Sequence, residues 1–257
     1  MHHPDEEYVS NLQKSKLITK IIQKIDIDND KVIDHLKNLN INDQLVENGI
    51  IMTKNSIFIK EKEIKDLLES LSKSLSPHYK INRIYVKSKA NKEEYFIADD
   101  TVIELIHSKL SLSRLTEAWI KSLFIFSLKK NIKKTKVIFR IENHYKSQII
   151  QSPGAMESNL ILEEYINIFK NYSEKCLPLP PESAYKYVEA KIKLKNEKKA
   201  FTDRWIGNKT FSKGERDSIE MKLCFGNKKE PDFFLRNNNF DKLSFRLYGP
   251  LIEALKK

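Results

Sequence analysis

Glycine is scarce in this chain, and its scarcity removes a whole class of function. Six glycines serve 257 residues. None is followed by Lys-Ser or Lys-Thr, so no phosphate-binding loop of the Walker type can be drawn and the chain is not expected to hydrolyse ATP by itself. Cysteine is scarcer still. Cys176 and Cys224 are too few and too far apart for a disulfide framework or a zinc site, and they imply a reduced, cytoplasmic setting. The six histidines (2, 3, 35, 78, 107 and 144) show no metal-ligand spacing, and His2-His3 reads as a chain end rather than a ligand pair. No Ser-His-Asp or Cys-His set can be assembled. No apolar run approaches 18 residues, so no membrane-spanning helix is expected. The N-terminus, Met1-His2-His3-Pro4-Asp5-Glu6-Glu7, has neither the basic start nor the apolar stretch of a secretory signal.

Lysine, isoleucine and asparagine are abundant instead. The net charge of +11 suits a nucleic-acid partner. An AT-rich genome also raises lysine whatever the function, so the distribution says more than the total. Residues 1–50 carry six Lys/Arg against nine Asp/Glu, a net −3. Residues 101–150 carry ten against three, a net +7. The densest run is Lys129, Lys130, Lys133, Lys134, Lys136 and Arg140. Cations at this density release counterions from a nucleic-acid backbone without reading its sequence. The same lysines also suit a solvated helix end, where positive charge meets the negative pole of the helix dipole.

Apolar spacing predicts an amphipathic helix from Tyr8 to Ile25 and a second from Lys31 to Leu39, joined by an acidic capping turn at Asp26, Asp28 and Asp30. Ile50–Lys60 reads as extended and Glu61–Leu75 as helical, ending before Pro77. Two strand-like segments follow, Ile81–Lys87 and Tyr95–Ala98, flanking a polar turn. Leu112–Lys130 gives the strongest helix signal. Lys133–Ile141 is a strand, Ser158–Phe169 a helix, and Leu177-Pro178-Leu179-Pro180-Pro181 a rigid break. One helix is expected from Glu182 to about Phe201, a loop from Gly207 to Gly214, a strand-like run around Glu220, and a closing helix from Asp241 to Leu255.

The hairpin carries the most chemistry. Nucleases of the PD-(D/E)xK class place a metal-binding Asp on the first strand of such a hairpin. An acid-x-Lys pair on the second completes the site, so that two carboxylates hold magnesium and the lysine steadies the attacking water. Here the first position is Asn82, and the second pair is Asp99 and Thr101. An amide is a weak magnesium ligand and threonine carries no charge, so the site reads as degenerate. On the pattern alone, an ordinary surface hairpin in a lysine-rich chain is the commoner meaning of such a segment. Glu-x-Lys recurs at Glu63-Lys65, Glu189-Lys191, Glu197-Lys199 and Glu220-Lys222. With 22 Glu and 39 Lys in the chain, chance supplies roughly three such pairs, so the pattern alone selects nothing. The best of them is Glu220-Met221-Lys222, with Asp203 or Asp217 upstream.

From about Tyr79 onward the chain resembles the C-terminal domain of RecC, the gamma subunit of the RecBCD helicase–nuclease, exodeoxyribonuclease V. The resemblance runs through Ile81-Asn82, Lys109-Leu110-Ser111-Leu112-Ser113-Arg114-Leu115 and Trp119-Ile120-Lys121-Ser122-Leu123. It continues through Leu177-Pro178-Leu179-Pro180-Pro181-Glu182-Ser183-Ala184 and Gly214-Glu215-Arg216-Asp217 before an apolar strand. It ends at Phe240-Asp241-Lys242-Leu243-Ser244-Phe245-Arg246-Leu247-Tyr248-Gly249-Pro250-Leu251. The family's domain is a nuclease-like fold that no longer cleaves, docks the RecD helicase and helps to channel the DNA strands. Family members are about four times longer, so the chain reads as a C-terminal piece, from a split gene or an internal start in a reduced genome, with a separate chain as one source of the helicase-like N-terminal domains.

The expectation is an α/β protein with a restriction-endonuclease-like core, a degenerate active site, and helical N-terminal and C-terminal additions. Residues 1–75 would form a mainly helical segment and 76–257 the nuclease-fold domain. The chain would be a non-catalytic scaffold with no metal or cofactor of its own. It would contact DNA through Lys129, Lys130, Lys133, Lys134, Lys136 and Arg140 and bind RecB-like and RecD-like subunits, which supply the ATP and magnesium chemistry of double-strand-break repair. The alternatives are an active metal-dependent nuclease using Asp203 or Asp217 with Glu220 and Lys222, or a decayed gene fragment.

Overall fold

The structure is a computed structural model. It describes residues 81–255 apart from short breaks at 88–91, 107, 143, 175, 208–212, 228 and 238, preceded by Asp66, Glu69, Ser70, Lys73 and Ser74. Those five are helical, as expected for 61–75. The helices expected over 8–25 and 31–39, with the turn between them, and the extended stretch at 50–60 lie outside the described residues.

Alternating β-branched and polar side chains build the strands: β1 (Ile81–Lys87), β2 (Lys92–Ala98), β3 (Thr101–Ile106), β4 (Lys134–Ile141) and β5 (His144–Gln151). They form one sheet in the order β1-β2-β3-β4-β5. β1, β2 and β3 run antiparallel in turn. β3 and β4 run parallel, with Thr101 opposite Lys134 and Ile106 opposite Phe139. Parallel neighbours need a long crossover, and the chain between these two contains α1 (Leu112–Leu128). Ser111 starts that helix, its Oγ accepting the Arg114 N–H at 3.3 Å. The remaining helices are α2 (Ala155–Tyr172), α3 (Pro181–Ile192), α4 (Glu197–Ile206), α5 (Ile219–Phe225), α6 (Pro231–Leu235) and α7 (Phe240–Ala254), with a 3-10 turn at Glu215–Asp217. The architecture is mixed α/β.

The chain divides into two compact units. The sheet unit comprises the described part of Met1–Ala118 with Asn131–Ile149. Val102, Ile103, Ile106, Val137 and Ile138 are buried in it, and the Tyr145 N–H donates to Ser70 Oγ at 2.9 Å. The helical unit comprises Trp119–Lys130 with Ile150–Lys257. Its core is aromatic. Phe201 lies 5.8 Å from Phe234 and 5.3 Å from Phe240, and Trp205 lies 4.9 Å from Phe234. A polar chain runs through the same unit: Trp119 Nε1 donates to Tyr165 Oη at 3.1 Å, and Tyr165 donates to the Leu247 carbonyl at 2.7 Å.

Three expectations are corrected. The single helix expected from Glu182 to Phe201 is two, α3 and α4. Leu194 takes φ 53°, and the Asn196 side chain accepts the Lys199 N–H at 2.9 Å, so a side-chain cap restarts the helix. The strand-like run around Glu220, following Gly214–Asp217, is helix α5. Ser218 Oγ accepts the Met221 N–H at 3.2 Å and caps it. The strands β3 and β5 and the short helix α6 lie in stretches given no element from the sequence.

Candidate nucleic-acid interface

Asp99 and Asp100 form the two-residue connection between β2 and β3, with Ala98 opposite Thr101. Asp99 has φ 52°, a left-handed conformation that aspartate tolerates and tight hairpins require. Its side chain is exposed. Asn82 pairs across β1 and β2 with Ile97, which sets its backbone at the same end of the sheet. Thr101 is only 2% exposed, and its Oγ1 donates to Asp100 Oδ1 at 2.9 Å. The Asp100 carbonyl accepts the N–H of Lys133 at 2.8 Å and of Lys134 at 3.4 Å, and Lys134 Nζ lies 4.0 Å from Asp100 Oδ1. The three positions read as a degenerate nuclease site therefore share one end of the sheet, with β4 lysines beside them. Asp99 has a sufficient structural reason to be there as a turn residue. Among the described residues no group of three or more His, Cys, Asp or Glu is placed to hold a metal ion.

The basic run falls into both units. Lys129 and Lys130 are exposed just after α1 in the helical unit, where α1 has no basic residue in its last turn. Lys133, Lys134, Lys136 and Arg140 belong to the sheet unit. Lys133 is exposed, and Lys134 and Lys136 are half-buried on one face of β4. Burial lowers the Lys136 pKa, and the Lys134 charge lowers it further. Arg140 is 8% exposed. Its Nε donates to the Glu142 carbonyl at 2.7 Å, bracing a turn in which Glu142 has φ 50°. Burial pushes the neighbouring Tyr145 hydroxyl up to about 12, an effect the Arg140 charge partly offsets. Lys146, exposed on β5, is a cation the sequence reading passed over.

The alternative nuclease residues lie in the helical unit. Asp203, Asp217, Glu220 and Lys222 are all exposed. Glu220 and Lys222 are two apart on a helix, where such residues do not face each other. On the strand expected from sequence they would have shared a face.

The residue that sequence reasoning missed is Glu215. It is buried, and its carboxylate accepts the Glu182 N–H at 2.9 Å, the Ser183 N–H at 2.7 Å and the Ser183 hydroxyl at 2.6 Å. These are orphan donors at the first turn of α3, so Glu215 is a cap supplied from 32 residues away. Burial raises its pKa, against hydrogen bonds from Ser183 and the Arg204 charge. Arg204 also pairs with Glu182. Gly214 is required beside it, because a Cβ there would sit 2.3 Å from the Ile206 carbonyl carbon and oxygen. The Gly214–Asp217 and Leu177–Ala184 motifs meet here. No spacing rule joins them.

A family model for the RecC C-terminal domain matches residues 62–192, just over half of the chain. The chain belongs to the RecC C-terminal domain family. The matched span holds all five strands and helices α1 to α3, so it takes in the lysine-bearing end of the sheet. RecC is a subunit of the RecBCD complex. A search of curated proteins gives no match. No helix among the described residues is long and apolar enough to cross a membrane.

Proposed function

We propose that the chain is a non-catalytic, DNA-contacting scaffold of a RecBCD-type exodeoxyribonuclease V complex acting in double-strand-break repair and recombination. The RecC match across the whole described sheet carries this reading. A hairpin leading into a β3–α1–β4 crossover supports a nuclease-like core. The chemistry of the sheet end supports loss of cleavage. The lysine position is a buried threonine engaged with Asp100, and the nearby ammonium of Lys134 comes from β4, where it can meet a phosphate. RecB-like and RecD-like subunits would supply unwinding, ATP hydrolysis and magnesium-dependent cutting.

Co-purification with the RecB and RecD homologues of the same genome, with and without a forked duplex, tests the proposal. A stable complex that binds the fork is the expected outcome. A cooperatively folded chain that associates with neither homologue would overturn the scaffold role. Magnesium-dependent cleavage by the purified chain, abolished by Asp99→Ala, would overturn the non-catalytic role.

A further inference from the structure

The helical unit contains a cavity of about 450 Å3 with a charge character opposite to that of the chain as a whole. Its apolar lining is Pro153, Ile161, Pro250 and Ala254, and Gln151 and Ser152 add neutral polar groups. Its charged lining residues are Glu157 and Glu253, both exposed. Helix polarity adds to the bias from one wall only. Ala254 and Glu253 lie in the last turn of α7, which has no basic residue, and a helix C-terminus attracts positive charge. At the other wall the positive N-terminal end of α2 already has Glu157 in its first turn. The volume lies in the lower part of the range of ligand clefts, about 300–1,000 Å3. It has room for one long side chain and its flanking backbone.

We infer that this cavity binds a lysine or arginine side chain presented by a partner protein. The aliphatic stem would lie against Pro153, Ile161, Pro250 and Ala254, and the cationic head would meet the Glu157 and Glu253 carboxylates. Long basic side chains combine these two halves, and carboxylates hold their heads by charge-assisted hydrogen bonds. The carboxylates repel phosphate, so the occupant is a protein and not a nucleic acid. The inference stands whether or not the chain contacts DNA through its sheet unit.

The test is a methyl NMR titration of the full chain with acetyl-Gly-Arg-Gly-amide, following Ile161 and Ala254. Acetyl-Gly-norleucine-Gly-amide serves as the uncharged control. Saturable shifts of both methyls are expected with the arginine peptide. Half-saturation should rise about tenfold for the norleucine peptide and for E157Q/E253Q, the loss expected for roughly one charge-assisted hydrogen bond. An undisturbed methyl spectrum in the variant would show that it remains folded. No shift with the arginine peptide would overturn the inference, as would equal binding by the norleucine peptide or by the variant. Binding that emerges only in K256A/K257A would overturn it too, by assigning the cavity to the chain's own end.

Discussion

The two units solve burial differently. In the sheet unit the interior is mainly aliphatic, with Val102, Ile103, Val137 and Ile138 buried along β3 and β4. One of its buried polar residues is left unmatched: Thr135 is 1% exposed and its Oγ1 has no hydrogen-bond partner. In the helical unit the interior is built on rings, and buried polar groups are paired. Ser158 Oγ donates to the Gly154 carbonyl and Ser244 Oγ to the Phe240 carbonyl, each at 2.7 Å, while Ser183 serves Glu215. Matched polar groups specify one packing, and an orphan costs free energy. The helical unit is thus the part whose geometry is fixed from within. The sheet unit tolerates an unfavourable group beside Lys133 and Lys134, as functional ends of folds often do.

The strongest way to break this contrast is to remove a ring. Phe201 is fully buried among Trp205, Phe234 and Phe240. Phe201→Ala should cost about 3–5 kcal/mol. Trp119 and Trp205 both belong to the helical unit, so denaturant unfolding followed by tryptophan fluorescence reads the unit in which the ring sits. A loss below about 1 kcal/mol would show that the aromatic cluster is not what holds it.

Next in size is the distant cap. Glu215→Ala removes three bonds to the start of α3 and should cost about 2–3 kcal/mol in the same assay. Its pH dependence has a definite sign. Glu215 keeps its proton to higher pH in the folded chain than the ordinary 4.5. Its contribution to stability is therefore complete below that value and declines as pH rises through the raised pKa. Glu215→Gln does not titrate. The stability of the native chain relative to this variant should fall as pH rises above about 4.5, read as the difference in melting temperature. A difference that grows with pH would show that the hydrogen bonds, and not burial, dominate at Glu215.

What could be read in advance follows the range of the interaction that decides each element. The strand over 134–141 and the helix over 112–128 are fixed by local periodicity, and both were legible. The break at Leu194 depends on Asn196 as a cap, a local signal that was present and passed over. The strand-like apolar run at 219–225 becomes a helix because Ser218 caps it, and short apolar runs do not separate the two periods. Adjacent residues Thr101, Val102 and Ile103 of β3 are buried on opposite faces, so the sequence Thr-Val-Ile-Glu-Leu-Ile lacks a clean alternation. Of the candidate positions, Asn82 and Asp99 come to one end of the sheet through a local hairpin register, whereas the acid-x-Lys pair expected on the second strand is split, with Asp99 in the turn and Thr101 on β3. The Glu215 cap on α3 was not legible, since it joins residues 32 apart through no repeat or motif spacing.

A smaller effect of opposite sign sharpens the contrast. Thr135→Val replaces the orphan hydroxyl with a methyl group of nearly the same shape and should stabilise the chain by about 1 kcal/mol. The measurement is the denaturation midpoint at unchanged m-value. A destabilised variant would mean that the hydroxyl is matched in solution and that the sheet unit tolerates no unfavourable group.

The smallest effects on stability carry the largest consequence for function. Lys133→Ala and Lys134→Ala each remove one sheet-unit cation and should cost well under about 1 kcal/mol of stability. Each should reduce the slope of log K for duplex binding against log salt by about one. Lys186 and Lys193 in the helical unit are the control. Their ammonium groups lie 2.6 and 2.8 Å from the two Glu189 oxygens. Burial pushes the Glu189 carboxyl up, and hydrogen bonds from both lysines more than offset this, holding it below the usual range. These two lysines lie outside the sheet end that the proposal places on DNA, so Lys186→Ala with Lys193→Ala should leave the slope unchanged. A salt slope that falls for this pair and not for Lys133 and Lys134 would move the nucleic-acid face from the sheet unit to the helical one, and would leave the orphaned Thr135 with no functional end to explain it.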